Sequence, residues 1–353
     1  MSDDLLSRHD VLLADLDGTL YRGPSAVPGA VEAVRGAAER GVRTVYVTNN
    51  ASRRPSAVAE HLADLGFAAR TEDVVASSQA AAAMLADQLP TGARVLVVGT
   101  EALVAEVTGR GLQVVTMADE ADAVVQGHSP DTGWPQLAEA TVAVRAGALW
   151  VACNLDPTLP TERGPLPGNG AMVGVVRVST GREPQVAGKP GPALLQEAAR
   201  RTGARSPLMV GDRLDTDVEG GRAAGMATLL VLTGISDAAE LLAAPPRMRP
   251  DHVAADLDGL TARPEDLAFG PRPGWDVRVP EPGSLVLAGT GADPVDALRA
   301  LCAAHWAAGG GPARVTADGD GAGVALRRLG LDAVGSATVA RVGKHDQTAG
   351  ADR

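Results

Sequence analysis

The chain has 353 residues, of which 45% are hydrophobic and 2% aromatic, and its formal net charge is −11. This length predicts two or three domains, and the apolar content is enough for cores packed from Ala, Val and Leu. The acidic balance argues against nucleic acid or an anionic membrane as a main partner. The two cysteines, Cys153 and Cys302, offer neither a disulfide framework nor a thiolate zinc site. With an acidic N-terminus unlike a signal peptide, we expect a cytoplasmic protein that binds neither nucleic acid nor membrane.

Short apolar runs alternate along the chain with Ala-rich helical patterns. Strands are predicted at 11–15, 43–49, 207–212 and 227–232, and helices at 29–40, 55–65, 191–202 and 216–224. A second alternating set, with strands at 94–99, 112–116, 122–127 and 149–153, lies between the two halves of the first. Apolar strands separated by helices are typical of a parallel sheet covered on both faces. The sequence therefore predicts an α/β doubly wound core that carries an inserted α/β unit.

The last part of the chain has a different composition. A Pro- and Gly-rich stretch at 269–283 predicts a linker. Beyond it, segments 284–289 and 313–317 predict strands on either side of a helix at 293–309. We expect a separate small α+β domain over 269–353.

Polar side chains stand where the predicted core strands end or where a helix begins. They are Asp15 and Asp17, the run Thr48-Asn49-Asn50, Lys189, and Asp212 with Asp217. In open α/β sheets, ligands bind at the carboxyl ends of the strands. Lys189 is one of only two lysines among 32 basic residues, so its compact ammonium group is a notable choice over a guanidinium group. Each segment alone is also typical of an ordinary polar loop or a helix cap.

In this order, the motifs DxDGT, TNN, GKP and GDxxxTD resemble those of the haloacid dehalogenase superfamily of phosphohydrolases. The resemblance implies a Rossmann-like parallel-sheet core over 1–79 and 186–268. It also implies that a phosphate monoester is cleaved through an aspartyl-phosphate. Asp15 would be the nucleophile, and Asp17 would be the general acid and then the general base.

The same resemblance implies a metal ion and a phosphate clamp. A carboxylate nucleophile and an anionic phosphate repel each other, and Mg²⁺ with oxygen ligands offsets that repulsion. The expected metal ligands are Asp15, Asp212 and the main-chain carbonyl of Asp17, with Asp217 orienting metal-bound water. The phosphoryl oxygens would be held by Thr48, Asn49, Asn50 and Lys189.

The tetrapeptide Asp-Leu-Asp-Gly occurs a second time, at 256–259. Only three apolar residues precede this copy, and Leu260 stands where Thr19 follows the first copy. Nothing downstream resembles the other three motifs. We therefore interpret the second copy as a loop after the last core strand, without a catalytic role.

The interval between Thr48 and Lys189 is much longer than one helix–strand–helix crossing requires. Its surplus, 80–185, is similar to the α/β (C2-type) cap of the family branch that includes para-nitrophenyl, phosphoglycolate and glycerol 3-phosphate phosphatases. The cap would determine substrate specificity, and a homodimer through the cap is expected. Within a loop that resembles the substrate loop of this branch, four residues are candidate specificity contacts, although each could equally hold the loop. They are Asn154, Asp156, Arg163 and Asn169.

The layout of core, cap and tail is similar to that of glycerol 3-phosphate phosphatases with an acetyltransferase-like tail. The acetyl-CoA motif R/Q-x-x-G-x-G/A is incomplete here, because Asp332 takes its last position, so we expect a non-catalytic tail. The favoured hypothesis is an enzyme acting on a small phosphorylated metabolite, with glycerol 3-phosphate as substrate and a place in phospholipid recycling. Phosphoglycolate, a sugar phosphate or a nucleotide monophosphate are alternative substrates. A regulator that binds such a metabolite without turnover is a more remote alternative.

Overall fold

The computed structural model describes residues 3–159 and 163–332. Its strands are β1 Val11–Ala14, β2 Tyr21–Arg22, β3 Ser25–Ala26, β4 Arg43–Thr48, β5 Val74–Ala76, β6 Arg94–Val98, β7 Gln113–Val115, β8 Ala123–Gln126, β9 Leu149–Ala152, β10 Thr158–Leu159, β11 Leu166–Pro167, β12 Gln185–Val186, β13 Pro207–Gly211, β14 Ala227–Val231, β15 His252–Ala254, β16 Trp275–Glu281, β17 Ser284–Gly289 and β18 Arg314–Asp318. Its α-helices are α1 Ala30–Glu39, α2 Pro55–Asp64, α3 Ser77–Gln88, α4 Glu101–Gly109, α5 Trp134–Ala146, α6 Asn169–Thr180, α7 Ala193–Thr202, α8 Glu219–Ala223, α9 Ala238–Leu242, α10 Pro264–Leu267, α11 Pro294–Ala307 and α12 Asp320–Arg328. Within these ranges, no helix is long and apolar enough to cross a membrane.

The central sheet has six strands in the order β15-β14-β13-β1-β4-β5, and all neighbours are parallel. Leu12 of β1 packs in one apolar cluster with α1 and α2, whereas Leu13 packs in another with α3 and α7. Because both faces are covered, the strands are apolar throughout, as the sequence predicted. The carboxyl ends of β1, β4 and β13 lie side by side, so the loops that follow them meet at one edge.

A second sheet is formed by the strands between the two halves of the core. Its five strands have the order β12-β9-β8-β6-β7 and are also parallel. One face is covered by α5 and α6 around the buried Trp150. The other face contributes Val95, Val125 and Val151 to the apolar cluster that also contains Leu13 of the central sheet. The predicted fold class, a parallel-sheet core with an inserted α/β unit and a small α+β tail, is confirmed.

Helix boundaries follow the chemistry of their first residues. Pro55 and Pro294 occupy first-turn positions, where a missing N–H costs no helical hydrogen bond. Asp293 precedes α11, and its Oδ1 accepts a hydrogen bond from the Val295 N–H at 2.8 Å. The predicted helices at 29–40, 55–65 and 191–202 therefore agree with α1, α2 and α7 to within two residues.

The prediction of a linker over 269–283 is wrong for its second half. Residues 275–281 form β16, which pairs antiparallel with β17, and β17 pairs parallel with β18. Alternate residues Trp275, Val277 and Val279 pack toward the apolar cluster of the tail, which is the two-residue period of a half-buried strand. Pro280 is tolerated because β16 is an edge strand. The high Pro and Gly content concealed this period.

The second Asp-Leu-Asp-Gly follows β15, the last strand of the central sheet, as predicted. Its residues form a 3-10 turn over Leu257–Thr261. The Asp256 Oδ1 accepts a hydrogen bond from the Asp258 N–H at 3.0 Å, which is a local turn contact. This carboxylate lies at the end of the edge strand, whereas the first copy follows the central strand.

Candidate active site

The first candidate residue, Asp15, lies where β1 ends. Its N–H donates to the Val210 carbonyl of β13 at 2.9 Å, so its backbone is still part of the sheet. The chain then turns at Gly18, whose φ of +88° favours glycine. A Cβ at Gly18 would lie 2.4 Å from the Oδ2 of Asp212. Asp17 is exposed on this turn and directly precedes Gly18, the residue that lies against Asp212.

Asp212 follows β13 and is fully buried. Its Oδ2 accepts a hydrogen bond from the Ile235 N–H at 2.7 Å, and its Oδ1 accepts one from the Thr19 hydroxyl at 3.2 Å. The Ser236 N–H donates to the Asp212 carbonyl at 3.0 Å. A Cβ at Gly234 would lie 1.9 Å from the same Oδ2. The carboxylate is therefore held in one position by the loop that follows β14.

Asp217 lies in a π-helical turn, Leu214–Val218, that precedes α8. The sequence predicted a single helix over 216–224, so the helix begins earlier and with a wider turn than expected. The Val218 N–H donates to the Arg213 carbonyl at 3.1 Å, which is the five-residue spacing of a π-turn. The Asp217 Oδ2 accepts a hydrogen bond from the Arg213 N–H at 3.1 Å. This turn places the buried Asp217 carboxylate beside that of Asp15.

Lys189 joins these carboxylates. Its side chain is 2% exposed, and its Nζ lies 2.5 Å from the Asp15 Oδ1 and 2.7 Å from the Asp217 Oδ1. Carboxylate oxygens of Asp15, Asp212 and Asp217 all lie within 4.8 Å of one another. One ammonium group does not neutralise three carboxylates at this distance. The cluster offers only hard oxygen donors, so it fits a hard divalent cation such as Mg²⁺.

Burial and mutual repulsion raise the pKa values of two of these acids. Burial is the larger cause for Asp15, with Asp217 and Asp212 adding to it and the Lys189 ammonium opposing it. Burial, followed by the Asp217 charge, raises the pKa of Asp212 to about 6. Burial lowers the pKa of Lys189, but the contacts with Asp15 and Asp217 outweigh it and hold that pKa above its ordinary value. Lys189 therefore stays cationic.

The run Thr48-Asn49-Asn50 divides its side chains between different partners. Thr48 is the last residue of β4, and its Oγ1 accepts a hydrogen bond from the Asn50 N–H at 3.1 Å. The Asn50 Oδ1 accepts one from the Ser52 N–H at 2.8 Å, so this side chain closes its own turn. The Asn49 amide donates to the Lys189 carbonyl at 2.9 Å and accepts from the Lys189 N–H at 2.8 Å. Asn49 therefore fixes the backbone that presents Lys189.

The four candidate specificity residues of the inserted unit have different surroundings. The Asn154 Nδ2 donates to the Asn49 carbonyl, and the Asn169 Nδ2 donates to the Asn154 carbonyl, each at 2.7 Å. Both asparagines are buried, so Asn154 holds the loop to the core, and Asn169 holds the start of α6 to Asn154 within the inserted unit. The Asp156 carboxylate accepts a hydrogen bond from the Asn49 Nδ2 at 3.3 Å, and burial raises its pKa. Arg163 is exposed.

The sequence analysis missed the segment Thr233–Ser236. It provides the contacts to Asp212 described above, and the Thr233 hydroxyl donates to the Gly18 carbonyl at 2.7 Å. The segment thus holds both the turn after β1 and the carboxylate after β13. The available signal was its position at the carboxyl end of the predicted strand 227–232, where ligand-binding loops of α/β sheets are expected.

Buried carboxylates and a buried lysine thus meet at the carboxyl edge of a parallel sheet, beside an exposed aspartate and a threonine hydroxyl. This combination fits a hydrolase of phosphate esters. Sequence comparison agrees. The haloacid dehalogenase-like hydrolase family matches residues 12–113, and a HAD-hydrolase-like family matches residues 186–260. A GCN5-related N-acetyltransferase-like domain matches residues 272–331. The chain belongs to the haloacid dehalogenase-like hydrolases and is a phosphatase, as its motifs predicted.

Two related sequences and two solved structures show how far the similarity extends. A D-glycerol 3-phosphate phosphatase of Mycobacterium tuberculosis is 48% identical over 340 residues, which cover 93% of this chain and 96% of the relative. A crystal structure of the glycerol phosphate phosphatase from that organism, in complex with magnesium, covers 93% of this chain and 99% of its own, with a TM-score of 0.88 and 49% identity. An acid sugar phosphatase of Staphylococcus aureus is 39% identical over 65% of this chain and 89% of its own. A p-nitrophenyl phosphatase structure from Archaeoglobus fulgidus has a TM-score of 0.66 and 31% identity, over 72% of this chain and 98% of its own.

The close approach at Gly234 can be tested by a single methyl group. In Gly234→Ala, the new Cβ would overlap the Asp212 Oδ2 and displace that carboxylate, so we expect Mg²⁺ binding, measured by calorimetry, to weaken by about tenfold or more. Gly36→Ala is the matched control, because a Cβ at Gly36 meets nothing within 4 Å. Equal Mg²⁺ affinity in both variants would contradict the placement of Asp212.

The raised pKa of Asp212 gives a dependence of stability on pH. An acid with a raised pKa binds its proton more tightly when folded. Its stabilising contribution is present below the ordinary pKa of 3.8 and is lost as the pH rises through about 6. In EDTA, the free energy of unfolding of wild type should fall between pH 4 and 7 by roughly 2 kcal/mol more than that of Asp212→Asn, which cannot ionise. Urea denaturation measures the free energy of unfolding of both proteins at each pH. If the two free energies depend on pH in the same way, the raised pKa of Asp212 is refuted.

Proposed function

We propose that the protein is a Mg²⁺-dependent phosphatase that hydrolyses glycerol 3-phosphate to glycerol and phosphate. The contact between the Lys189 Nζ and the Asp15 Oδ1, at 2.5 Å within a buried acidic cluster, carries the chemical part of this proposal. The substrate is supported by the 48% identity to a D-glycerol 3-phosphate phosphatase over 93% of the chain. The similarity to an acid sugar phosphatase supports a sugar phosphate as the second candidate.

In the first step, an Asp15 carboxylate oxygen attacks phosphorus and the bond to the glycerol oxygen breaks. Asp17, which is exposed on the turn after β1, gives its proton to that leaving oxygen. In the second step, Asp17 takes a proton from water as the water oxygen attacks the phosphoryl group, and free Asp15 and phosphate result. The Lys189 ammonium and the Thr48 hydroxyl stabilise the charge on the phosphoryl oxygens.

The acidic cluster would hold the metal. The Asp15 and Asp212 carboxylates and the Asp17 carbonyl would bind Mg²⁺, which supplies the positive charge that lets an anionic substrate approach Asp15. Asp217 would orient water at the ion and, through its contact with the Lys189 Nζ at 2.7 Å, also keep Lys189 in position. The Asn49 side chain would help to position the same lysine through its hydrogen bonds with the Lys189 main chain.

The inserted unit, residues 80–185, would be the cap that sets substrate choice, on a core of residues 1–79 and 186–268 followed by the tail 269–353. Asp156 supports this, because its carboxylate reaches the Asn49 amide of the core. Arg163 would contribute charge from the exposed part of the same loop. Asn154 and Asn169 would keep that loop in register with the core, since their amides donate to main-chain carbonyls.

We also propose that the protein is a cytoplasmic homodimer that pairs through the cap. Trp134 and Val142 of α5 and Val175 and Val178 of α6 are exposed, with Trp134 at 80% and Val178 at 86%. Helices α5 and α6 pack against each other, so these side chains lie on neighbouring helices of the cap. With glycerol 3-phosphate, the backbone of glycerophospholipids, as substrate, the enzyme would serve phospholipid recycling.

The nucleophile assignment predicts the effect of one isosteric change. Asp15→Asn should lower kcat by at least about a thousandfold, because an amide oxygen cannot form the aspartyl-phosphate. Asp256→Asn is the control, since it makes the same change at the equivalent position of the second Asp-Leu-Asp-Gly and should leave kcat unchanged. Steady-state phosphate release, which gives kcat, measures both variants. An active Asp15→Asn variant would exclude Asp15 as the nucleophile.

The substrate assignment predicts a preference within a set of monoesters. Phosphate release should be fastest from glycerol 3-phosphate and should cease when EDTA removes the metal. The set would include both glycerol 3-phosphate enantiomers, glycerol 2-phosphate, phosphoglycolate, hexose phosphates and mononucleotides. A higher kcat/KM for a hexose phosphate would replace the substrate and keep the chemistry. Binding of these esters without turnover would instead favour a regulator.

A further inference from the structure

The C-terminal domain shares one apolar cluster with the part of the core that carries the acidic residues. The core contributes Leu214, Val218, Leu230, Leu241 and Val253. Leu214 and Val218 are the first and last residues of the π-helical turn that contains Asp217. The tail contributes Leu285, Leu287, Val295, Leu298, Leu301 and Cys302. A shared cluster of this kind does not separate without exposing apolar surface on both sides. The tail is therefore packed into the core as part of one structure.

Arg299 of α11 makes the most buried polar contact across this junction. Its side chain is 6% exposed, and its Nε and Nη2 donate to the Val253 carbonyl at 3.2 and 2.6 Å. Val253 lies in β15, the edge strand of the central sheet. The Arg299 Nη1 donates to Asp296 at 2.8 Å, so the charge is partnered within α11. Arg299 thus ties the tail to a strand edge that would otherwise lack a partner on that side.

Trp306, near the end of α11, holds α9 in position. Its Nε1 donates to the Leu242 carbonyl at 3.0 Å, at the last residue of α9. The Trp306 ring lies 4.6 Å from that of Phe269 and 4.8 Å from the Arg249 guanidinium carbon. Carbonyls at the end of a helix have no partner within that helix, so the Trp306 N–H satisfies one of them.

Helix α9 is only five residues long, and its first turn leads directly to the acidic cluster. Asp237 caps it, accepting from the Glu240 N–H at 2.8 Å. The residues just before Asp237 are Ile235 and Ser236, whose N–H groups donate to Asp212. A helix this short has little stability of its own, so its position depends on what packs against it.

We propose that the C-terminal domain is a brace for the metal site, in which Arg299 and Trp306 are positioning residues. They hold β15 and α9, and α9 in turn holds the Thr233–Ser236 segment against Asp212. The acetyltransferase-like domain would therefore contribute to phosphate hydrolysis through Mg²⁺ affinity. This inference rests on the metal site of the proposed function.

The test compares Mg²⁺ binding in full-length variants by calorimetry, with Mg²⁺ alone as the probe. Arg299→Met keeps the aliphatic stem and removes the donors to Val253, and Trp306→Phe keeps an aromatic ring and removes the donor to Leu242. Each should weaken Mg²⁺ binding by about fivefold or more. Leu326→Ala is the control, because Leu326 is buried on α12, which packs mainly on β17, β18 and α11 of the tail, so its loss should lower Tm without removing a hydrogen bond to α9 or β15. It should bind Mg²⁺ as wild type does.

Three results would overturn the brace. The first is a lowered Tm with unchanged Mg²⁺ affinity in both Arg299→Met and Trp306→Phe. The second is an equal loss of affinity in Leu326→Ala, which would show that any destabilisation has this effect. The third is a wild-type protein that binds Mg²⁺ no better than Asp212→Asn. That last result would remove the metal site itself, so it separates failure of the proposed function from failure of the brace alone.

Discussion

The arrangement of the site depends on one buried ammonium group among three carboxylates. Removing Lys189 would leave the partly buried Asp15 and the buried Asp217 without a cationic partner, and breaking a buried pair in this way costs about 3–5 kcal/mol. The same contacts aim the Lys189 Nζ at the carboxylate that would carry the phosphoryl group. Under the proposed function, structural and catalytic requirements therefore coincide in one side chain. This explains why a lysine is kept here in a chain that otherwise uses arginine almost throughout.

Close approach of the backbone is the second requirement of this cluster. Gly18 and Gly234 both lie against the Asp212 carboxylate, and a Cβ at either one would come within 2.4 Å of its Oδ2. Gly18 follows β1 and Gly234 follows β14, the two strands that flank β13 in the central sheet. The sheet order fixes which loops meet, and the missing side chains let them meet closely enough for main-chain N–H groups to reach the acid.

The sequence predicted those parts of the site that depend on residue type and strand position. Asp15, Asp212 and Lys189 each lie next to a buried strand or a helix start, and their chemistry is unusual enough to recognise. It did not predict the Thr233–Ser236 segment, whose contacts are mostly through main-chain N–H groups and so leave no residue signature. It also missed β16 and predicted a linker there, because Pro and Gly conceal the two-residue period of the strand. The partners of Asn154 and Asn169 depend on how two loops pack, which no local pattern records.

The strand order β15-β14-β13-β1-β4-β5 also determines what each neighbouring domain can influence. The inserted unit begins after β5 and returns just before Lys189, so its loops reach the site through Asn49 and Asp156. The tail covers β15 at the opposite edge, and the loop after the adjacent β14 is the one that holds Asp212. Under the proposed function, the inserted unit would affect which ester is bound. The tail would affect how firmly the acidic cluster is held, because the contacts of Arg299 and Trp306 lie on that side.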